Sequence, residues 1–182
     1  STVATISEIH DYLRLLYARI GVLHCPDCRR PVTSQSRDAI VDQVLRSGDR
    51  QKVVVLAPVI RGRAGAHADV FARIVRDGYV RARVDGEIVD AATPPAIAKT
   101  AAHNIEIVVD RLILKDGIRT RLEESVDLAL QLGQGQCIIS CDIDGDWRDR
   151  LYSSRLACVD CGTGFPAIES RSFSFNSAAG AC

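Results

Sequence analysis

The chain has 182 residues, of which 47% are apolar, and its 23 basic and 23 acidic side chains give a formal net charge of zero. That length allows one ordinary domain or a small base with an inserted domain, and the zero net charge excludes nucleic-acid binding through bulk charge, leaving only local contacts. An odd number of cysteines, seven, argues against a secreted disulfide framework. With no signal peptide and no apolar run near the ~20 residues of a bilayer span, we expect a reduced cytoplasmic protein.

The first predicted element is a helix near the start of the chain. Thr5-Ile6-Ser7-Glu8 has the pattern of a capping box, in which a hydroxyl and a carboxylate satisfy two free amides of a helix start. Apolar residues then recur at spacings of three and four, and Gly21 suits the position after the helix. The apolar stripe consists of Ile6, Ile9, Leu13, Leu16, Tyr17 and Ile20.

Two short cysteine pairs, Cys25-Pro26-Asp27-Cys28 and Cys158-Val159-Asp160-Cys161, enclose most of the chain. The C-x-x-C loop delivers two thiolates to one metal ion, and structural zinc takes four ligands in a tetrahedron. A thioredoxin-like redox pair is the alternative, but it should follow a strand and open a helix, whereas Pro31 and polar residues follow the first pair. A zinc deaminase would need a His-x-Glu, which the sequence lacks. The spacing therefore predicts a four-thiolate zinc site that clasps an inserted domain.

Between the two pairs the sequence predicts helices and strands. A second helix starts at Thr33 to Ser36, a buried strand covers Lys52 to Ile60 with Pro58 at its end, and a third helix covers His67 to Asp77. Arg61 to Gly65 is a basic segment between the strand and the third helix. Its G-x-x-G lacks the spacing of a phosphate-binding P-loop, so we expect a solvent loop, with a partner contact as the alternative.

Residues 79–89 have the pattern of a β-hairpin. Strict alternation is followed by Asp85-Gly86, which is typical of a type I′ turn, and by a second short apolar run. Because side chains alternate along a strand, Arg81 and Arg83 share one face of this ribbon while apolar residues take the other.

Two more strands and a helix complete the predicted inserted domain. Ile105 to Leu114 is a strand in which Asp110-Arg111 interrupts an apolar run, where a charge needs a partner or a function. Thr120 to Glu123 has the pattern of a second capping box, and its helix ends at Gly133. Gln136 to Ile143 is a further strand.

Three cysteines lie outside the two pairs. Cys137 and Cys141 are spaced C-x-x-x-C within a strand, which suits one metal poorly, so we expect buried thiols. Cys182 ends the chain where a further C-x-x-C could begin. A rival zinc site with Cys158, Cys161, Cys182 and one absent ligand therefore stays open.

Five separated stretches together resemble UvrA, a component of the UvrABC excinuclease of bacterial nucleotide excision repair. They are Ile9 to Arg19, Leu56-Ala57-Pro58, Gly78 to Gly86, Val108 to Arg111 and Phe173-Ser174-Phe175-Asn176. The resemblance covers the whole chain. The chain starts at Ser1 without Met, so we expect an excised segment. The resemblance implies that this segment comes from the first ATP-binding half and consists of part of a signature region with the inserted domain that binds UvrB.

The resemblance also implies one zinc ion per chain, held by Cys25, Cys28, Cys158 and Cys161. In the family, the first zinc module uses a C-x-x-[CH] pair before the insertion and a C-x-x-C pair after it. Many relatives resemble C-P-x-H at the first pair, but thiolate for imidazole is a conservative change at tetrahedral zinc. The last stretch resembles the start of a second zinc module, which leaves Cys182 unliganded.

Arg81, Arg83 and Arg111 are the predicted contacts to UvrB. Guanidinium binds carboxylates bidentately and is common at interface hot spots. The competing interpretation is that these arginines form exposed ion pairs within the chain, and the preference for a partner contact depends on the resemblance.

The resemblance further implies a parent that is an ABC-type ATPase, binds DNA, finds lesions as a dimer and loads UvrB. The Walker A, Walker B and ABC signature sequences of such an ATPase do not occur in these residues. We therefore expect no ATP hydrolysis by the fragment.

Together these expectations define an α+β fold with two parts. Residues 1–34 and 147–182 form a zinc-containing base, and residues 35–146 form an inserted, mixed UvrB-binding domain. The predicted function is to dock UvrB for loading at DNA lesions. A zinc module that contacts DNA phosphates is the alternative, which the neutral charge and the few aromatic residues disfavour.

Overall fold

The computed structural model describes residues 8–158, 161, 163–165, 167–175 and 177. The chain separates into two compact units, one of Ser1–Thr33 with Leu156–Cys182 and one of Ser34–Arg155. The first boundary lies beside the predicted one. The second lies beyond the predicted boundary at 146/147, because a strand that the sequence analysis did not predict begins at Asp146 and pairs with the strand before it.

Six antiparallel strands form one sheet in the Ser34–Arg155 unit, with the order β3-β2-β4-β1-β5-β6. The longest strands, β1 and β4, therefore lie at its centre. The strands are β1 (Lys52–Ala64), β2 (Arg81–Val84), β3 (Glu87–Asp90), β4 (Ala102–Ile113), β5 (Gln136–Ile143) and β6 (Asp146–Ser153). The α-helices of the described residues are α1 (Ile9–Ile20), α2 (Arg37–Leu45), α3 (Ala68–Arg76) and α4 (Arg119–Leu132), and a short 3-10 helix covers Ser170–Phe173. This arrangement confirms the predicted α+β class.

The main core lies on one face of the sheet, where α2, α3 and α4 contribute apolar side chains. Ile40 of α2, Ile74 of α3 and Leu122 of α4 are each 0% exposed. The sheet supplies a matching set that includes Val53, Val55, Ile105 and Ile139. Burying so many aliphatic side chains at about 1.5–3 kcal/mol each is the dominant stabilising term for this unit.

The helix ends have local causes. Ser36 caps α2, because its Oγ accepts a hydrogen bond of 3.2 Å from the amide of Ala39. Gly133 follows α4, as predicted. The predicted capping box at Thr120 is wrong, since α4 already begins at Arg119 and Ile118 is its N-cap without a side-chain cap. Ile118 packs against the main core, so apolar burial decides this helix start.

The central strand β1 continues beyond its predicted end at Ile60. Its pairing with β4 shifts register between Val55 and Leu56 and on both sides of Ile60. Such bulges accommodate Pro58, which cannot donate a ladder hydrogen bond, and they bend the strand. The predicted solvent loop at residues 61–65 is largely wrong, because Arg63 and Ala64 pair with β4.

Two hairpins with two-residue turns flank the centre of the sheet. The predicted one joins β2 to β3 through Asp85 and Gly86, whose φ angles of 49° and 96° are those a type I′ turn requires. The second joins β5 to β6 through Asp144 and Gly145, with φ angles of 54° and 88°.

The unit of residues 1–33 and 156–182 is small. The ring of His10 on α1 stacks on Phe175 with centroids 4.6 Å apart. No residue of α1 is buried, so the predicted apolar stripe is exposed within the described part of the chain. Thr5 to Ser7 of the predicted first capping box lie outside the described residues. Among the helices that the structure describes, none has the length and hydropathy to cross a membrane.

Candidate metal centre and partner surface

The two cysteine pairs lie on tight turns that backbone hydrogen bonds hold. In the first turn the amide of Cys25 donates to the carbonyl of Arg30 at 2.8 Å, and the amide of Arg29 donates to the carbonyl of Cys25 at 2.8 Å. In the second turn the amide of Cys158 donates to the carbonyl of Thr163 at 2.9 Å. These hydrogen bonds fix the backbone at Cys25 and at Cys158.

The four predicted ligands come together in the fold. The Sγ atoms of Cys25, Cys28, Cys158 and Cys161 all lie within 4.8 Å of one another, and those of Cys28 and Cys158 are 3.4 Å apart. A zinc ion with Zn–S bonds of about 2.3 Å separates its sulfurs by about 3.8 Å in a tetrahedron. The cluster therefore has the composition and the size of a four-thiolate zinc site.

The cluster is crowded and lies beside apolar side chains. Cys25 and Cys158 are buried with Val32, and Leu23, Leu156 and Phe165 pack against them. The hydrogen bond with Cys28, followed by burial and the other two thiols, raises the pKa of Cys161 to about 12. Crowded thiols resist ionisation in the absence of positive charge, and a zinc ion supplies that charge.

The other cysteines do not join this cluster among the described residues. Cys137 lies in β5 in the main core, where burial raises its pKa to about 12, and Cys141 packs against the same core. This agrees with the prediction of buried thiols. Cys182, the ligand of the rival site, lies outside the described residues.

Strand register places the three predicted arginines on one face of the sheet, opposite the helices. Paired residues of antiparallel strands point to the same face. Arg83 pairs with Glu106, and Arg111 pairs with Val54, which belongs to a small apolar cluster on that face. Arg81 lies two residues before Arg83 and therefore points the same way. We call this surface the open face.

Arg83 differs from the expectation of an exposed guanidinium. Its side chain is buried, with Nε 3.2 Å from Glu106 Oε2 and Nη2 2.7 Å from Asp149 Oδ2. Burial raises the pKa of Glu106 even though Arg83 lowers it. The ion pairs explain the burial, since a guanidinium is tolerated inside only when carboxylates surround it.

Arg81 and Arg111 are exposed and enter no ion pair within the part of the chain that the structure describes. The alternative prediction is an ion pair at Arg111, but the residue that forms one is its neighbour Asp110. Asp110 accepts from Arg121 at 2.8 Å and from Ser125 at 3.0 Å. Two of the three predicted arginines are thus free to meet a partner.

The contact between Arg83 and Asp149 requires a strongly curved sheet. Arg83 is on β2 and Asp149 on β6, and β4, β1 and β5 lie between them. Four strand spacings of about 4.8 Å would separate β2 and β6 by about 19 Å in a flat sheet. Even when both side chains are fully extended, an arginine and an aspartate that form a hydrogen bond have Cα atoms no more than about 14 Å apart, given ordinary bond lengths. The sheet therefore curls around the open face, and the bulges of β1 provide the bend.

This curvature encloses a cavity that the sequence analysis missed. The cavity measures about 430 Å³, and Ile88 of β3 and Trp147 of β6 both line it together with Val54 and Leu56. The available signal was Asp144-Gly145, a second turn sequence of the same kind as Asp85-Gly86. It would have predicted β6 and placed Trp147 on a strand.

His103 is a second feature that the sequence did not reveal. Its Nδ1 lies 2.6 Å from Asp85 Oδ2, and its Nε2 lies 2.8 Å from the carbonyl oxygen of Ala98. Because both partners can only accept, both ring nitrogens must donate, which requires the charged imidazolium. The hydrogen bond with Asp85 accordingly raises the pKa of His103. The ring ties the β2–β3 turn to the segment before β4.

Comparison with known proteins assigns the sheet unit. The family model described as the UvrA interaction domain matches residues 35–142, which is more than half of the chain and lies within the Ser34–Arg155 unit. UvrABC system protein A of Clostridium perfringens is 50% identical over 183 aligned residues, covering 100% of this chain and 19% of the relative. The same protein of Streptococcus mutans is 48% identical, and that of Clostridium tetani 46%, with the same coverage. The chain spans 19% of the length of these relatives. It belongs to the UvrA family.

Proposed function

We propose that this chain is the partner-docking segment of a protein of nucleotide excision repair, with UvrB as its partner. The observation that carries the proposal is the match of the UvrA interaction domain to residues 35–142. Relatives aligned along the entire chain are named UvrABC system protein A, which supports a role within that system. In the cytoplasmic parent, which would bind ATP and DNA as a dimer, the segment would bring UvrB to a lesion.

Docking would use the open face of the sheet. Arg81 and Arg111 offer two exposed guanidinium groups on a rigid scaffold, and guanidinium pairs bidentately with carboxylates. Arg83 would contribute indirectly, because its charge is already matched by Glu106 and Asp149.

A calorimetric titration of the purified chain with UvrB tests this function. Arg81→Glu or Arg111→Glu should weaken binding by about 2 kcal/mol or more, because each reversal places like charges in the interface. Arg73→Glu is the matched control, since Arg73 is an exposed arginine of α3 on the opposite side of the sheet. If both reversals bind UvrB as wild type does, the open face is not the docking surface. If wild type shows no binding, the function itself fails.

The base would carry one structural zinc ion bound by Cys25, Cys28, Cys158 and Cys161. Bound zinc would supply a covalent-like crosslink between the two turns, whose sulfurs lie close enough to share one ion. The chain's own residues contribute the apolar shell that keeps water from the thiolates.

We expect the purified chain to hydrolyse no ATP, because its sequence contains no match to the P-loop spacing. A phosphate-release assay measures this. ATP hydrolysis that a substitution in this chain abolishes would contradict the expectation.

A further inference from the structure

The cavity on the open face is exposed to solvent and combines apolar side chains with the polar Arg83, Glu87 and Ser140. Trp147 is 48% exposed and Ile88 is 44% exposed, although both are large apolar side chains that line the same cavity. Val54 and Leu56 form its floor and are buried. A half-exposed tryptophan opposite a half-exposed isoleucine leaves room between them for an apolar side chain from outside.

The hairpin β2–β3 and the edge strand β6 hold the two walls at a fixed separation. Ile88 follows the rigid two-residue turn, and Trp147 lies two residues from Asp149, which Arg83 binds with both terminal nitrogens. The cavity is therefore preformed, which lowers the entropic cost of filling it.

The side chains around the cavity carry charges of both signs. Arg83 is matched by Glu106 and Asp149, and Lys52 Nζ lies 3.7 Å from Asp142 Oδ2. The exposed Glu87 lines the cavity itself, so the carboxylates of a partner would lie toward the arginines and not in the cavity. Arg81 and Arg111 are the basic side chains that stay unpaired on this face within the described residues. A complementary partner segment would combine carboxylates for the two arginines with an apolar side chain for the cavity.

We propose that this cavity receives an apolar side chain from an acidic segment of UvrB, with Trp147 as the main anchor on the UvrA side. The inference deepens the proposed docking of UvrB and rests on it. It assigns an apolar centre to an interface whose arginines provide the charged rim.

The single tryptophan of the chain makes a direct test possible. The chain is labelled with 5-fluorotryptophan, so that one ¹⁹F resonance reports on Trp147, and unlabelled UvrB is added. The resonance should shift and saturate at the same midpoint as the calorimetric titration. An unmoved resonance while calorimetry records binding overturns the cavity proposal and leaves the proposed function intact. If UvrB neither shifts the resonance nor gives a calorimetric signal, both the cavity proposal and the proposed docking function are wrong.

Substitutions provide the energetic test. Trp147→Ala should weaken UvrB binding about tenfold or more, and Ile88→Ala should weaken it severalfold, as expected for anchors in a desolvated pocket. Val75→Ala is the matched control, because Val75 is 43% exposed and lies on α3 away from the open face. Circular dichroism checks that each variant keeps its fold. If Trp147→Ala and Ile88→Ala both bind within twofold of wild type, the cavity is not part of the interface.

Discussion

The cysteine cluster shows how single residues far apart in the chain form one site. Each C-x-x-C turn presents two sulfurs, and the fold brings all four within 4.8 Å. None of the remaining described cysteines is near enough to replace a lost ligand, so each of the four matters individually.

The first prediction concerns metal content. The purified chain should contain one zinc ion, and Cys158→Ser should release it, because a hydroxyl is a poor substitute for a thiolate. Cys141→Ala, which removes a thiol from the β5 strand instead, should leave the metal content unchanged. Elemental analysis with protein quantification measures both. Loss of zinc in Cys182→Ser with retention in Cys25→Ser would instead favour the rival site.

The second prediction concerns His103. Hydrogen bonds to Asp85 and to the carbonyl of Ala98 raise its pKa in the folded state. A raised folded pKa means that the stabilisation is fully present below the unfolded value of about 6.5 and is lost as pH rises through the folded pKa. The free energy of unfolding should therefore drop between about pH 6.5 and the folded pKa, and His103→Gln should remove this dependence.

NMR titration of the imidazole checks the same point directly. Desolvation of the buried ring is the influence that opposes protonation of His103. A midpoint at or below about 6.5 would mean that desolvation outweighs the hydrogen bond with Asp85 and that the ring is not held as imidazolium.

At the scale of the elements, one ion-pair group joins strands that are not neighbours. Arg83 on β2 binds Glu106 on the adjacent strand and Asp149 on β6, across the curved open face. Glu106 is 6% exposed, so it depends on Arg83 for its compensating charge. The group therefore stabilises the curvature that forms the cavity.

The third prediction tests this role. Arg83→Ala should destabilise the chain by about 3 kcal/mol, because it leaves a buried carboxylate without a partner. Arg81→Ala removes the same side chain from the same strand and face at an exposed position, and it should change stability by about 0.5 kcal/mol or less. Urea unfolding measures both. Equal effects of the two substitutions would contradict the structural role of Arg83.

At the scale of the whole molecule, the chain consists of two compact units with different sources of stability. The Ser34–Arg155 unit has an extensive apolar core between its sheet and three helices. Among its described residues, the other unit has a small cluster of buried residues around its cysteines. Small units with so little core generally depend on a metal or on disulfides.

The fourth prediction follows from that difference. Removal of zinc with a chelator should increase amide exchange at residues 22–33 and 156–165, while the strands and helices of residues 34–155 keep their protection. Hydrogen exchange with mass spectrometry measures both regions in one experiment. If chelation also increases amide exchange in residues 34–155, the two units do not have separate sources of stability.

Much of the local structure was predictable because local rules determine it. Ser36 caps α2, Asp85-Gly86 turns the hairpin, and the two C-x-x-C pairs supply the four sulfurs that come together. The start of α4 was not predictable from its hydroxyl and carboxylate residues, since burial of Ile118 overrides the capping pattern at Thr120.

The sequence by itself determined the α+β class, the identity of the paired cysteines and the shared face of Arg81 and Arg83, because all three follow from spacing along the chain. The tertiary structure placed Arg111 on that face, because the register shift between Val55 and Leu56 reverses the alternation of β4. Only the tertiary structure decided which arginines are free. Arg81 and Arg83 are equivalent in the alternating pattern, but sheet curvature brings Asp149 to Arg83 and leaves Arg81 exposed. That curvature arises from bulges in the pairing of β1 with β4. Pro58 marks one of them in the sequence, but the positions of the register shifts depend on contacts between residues distant in the chain.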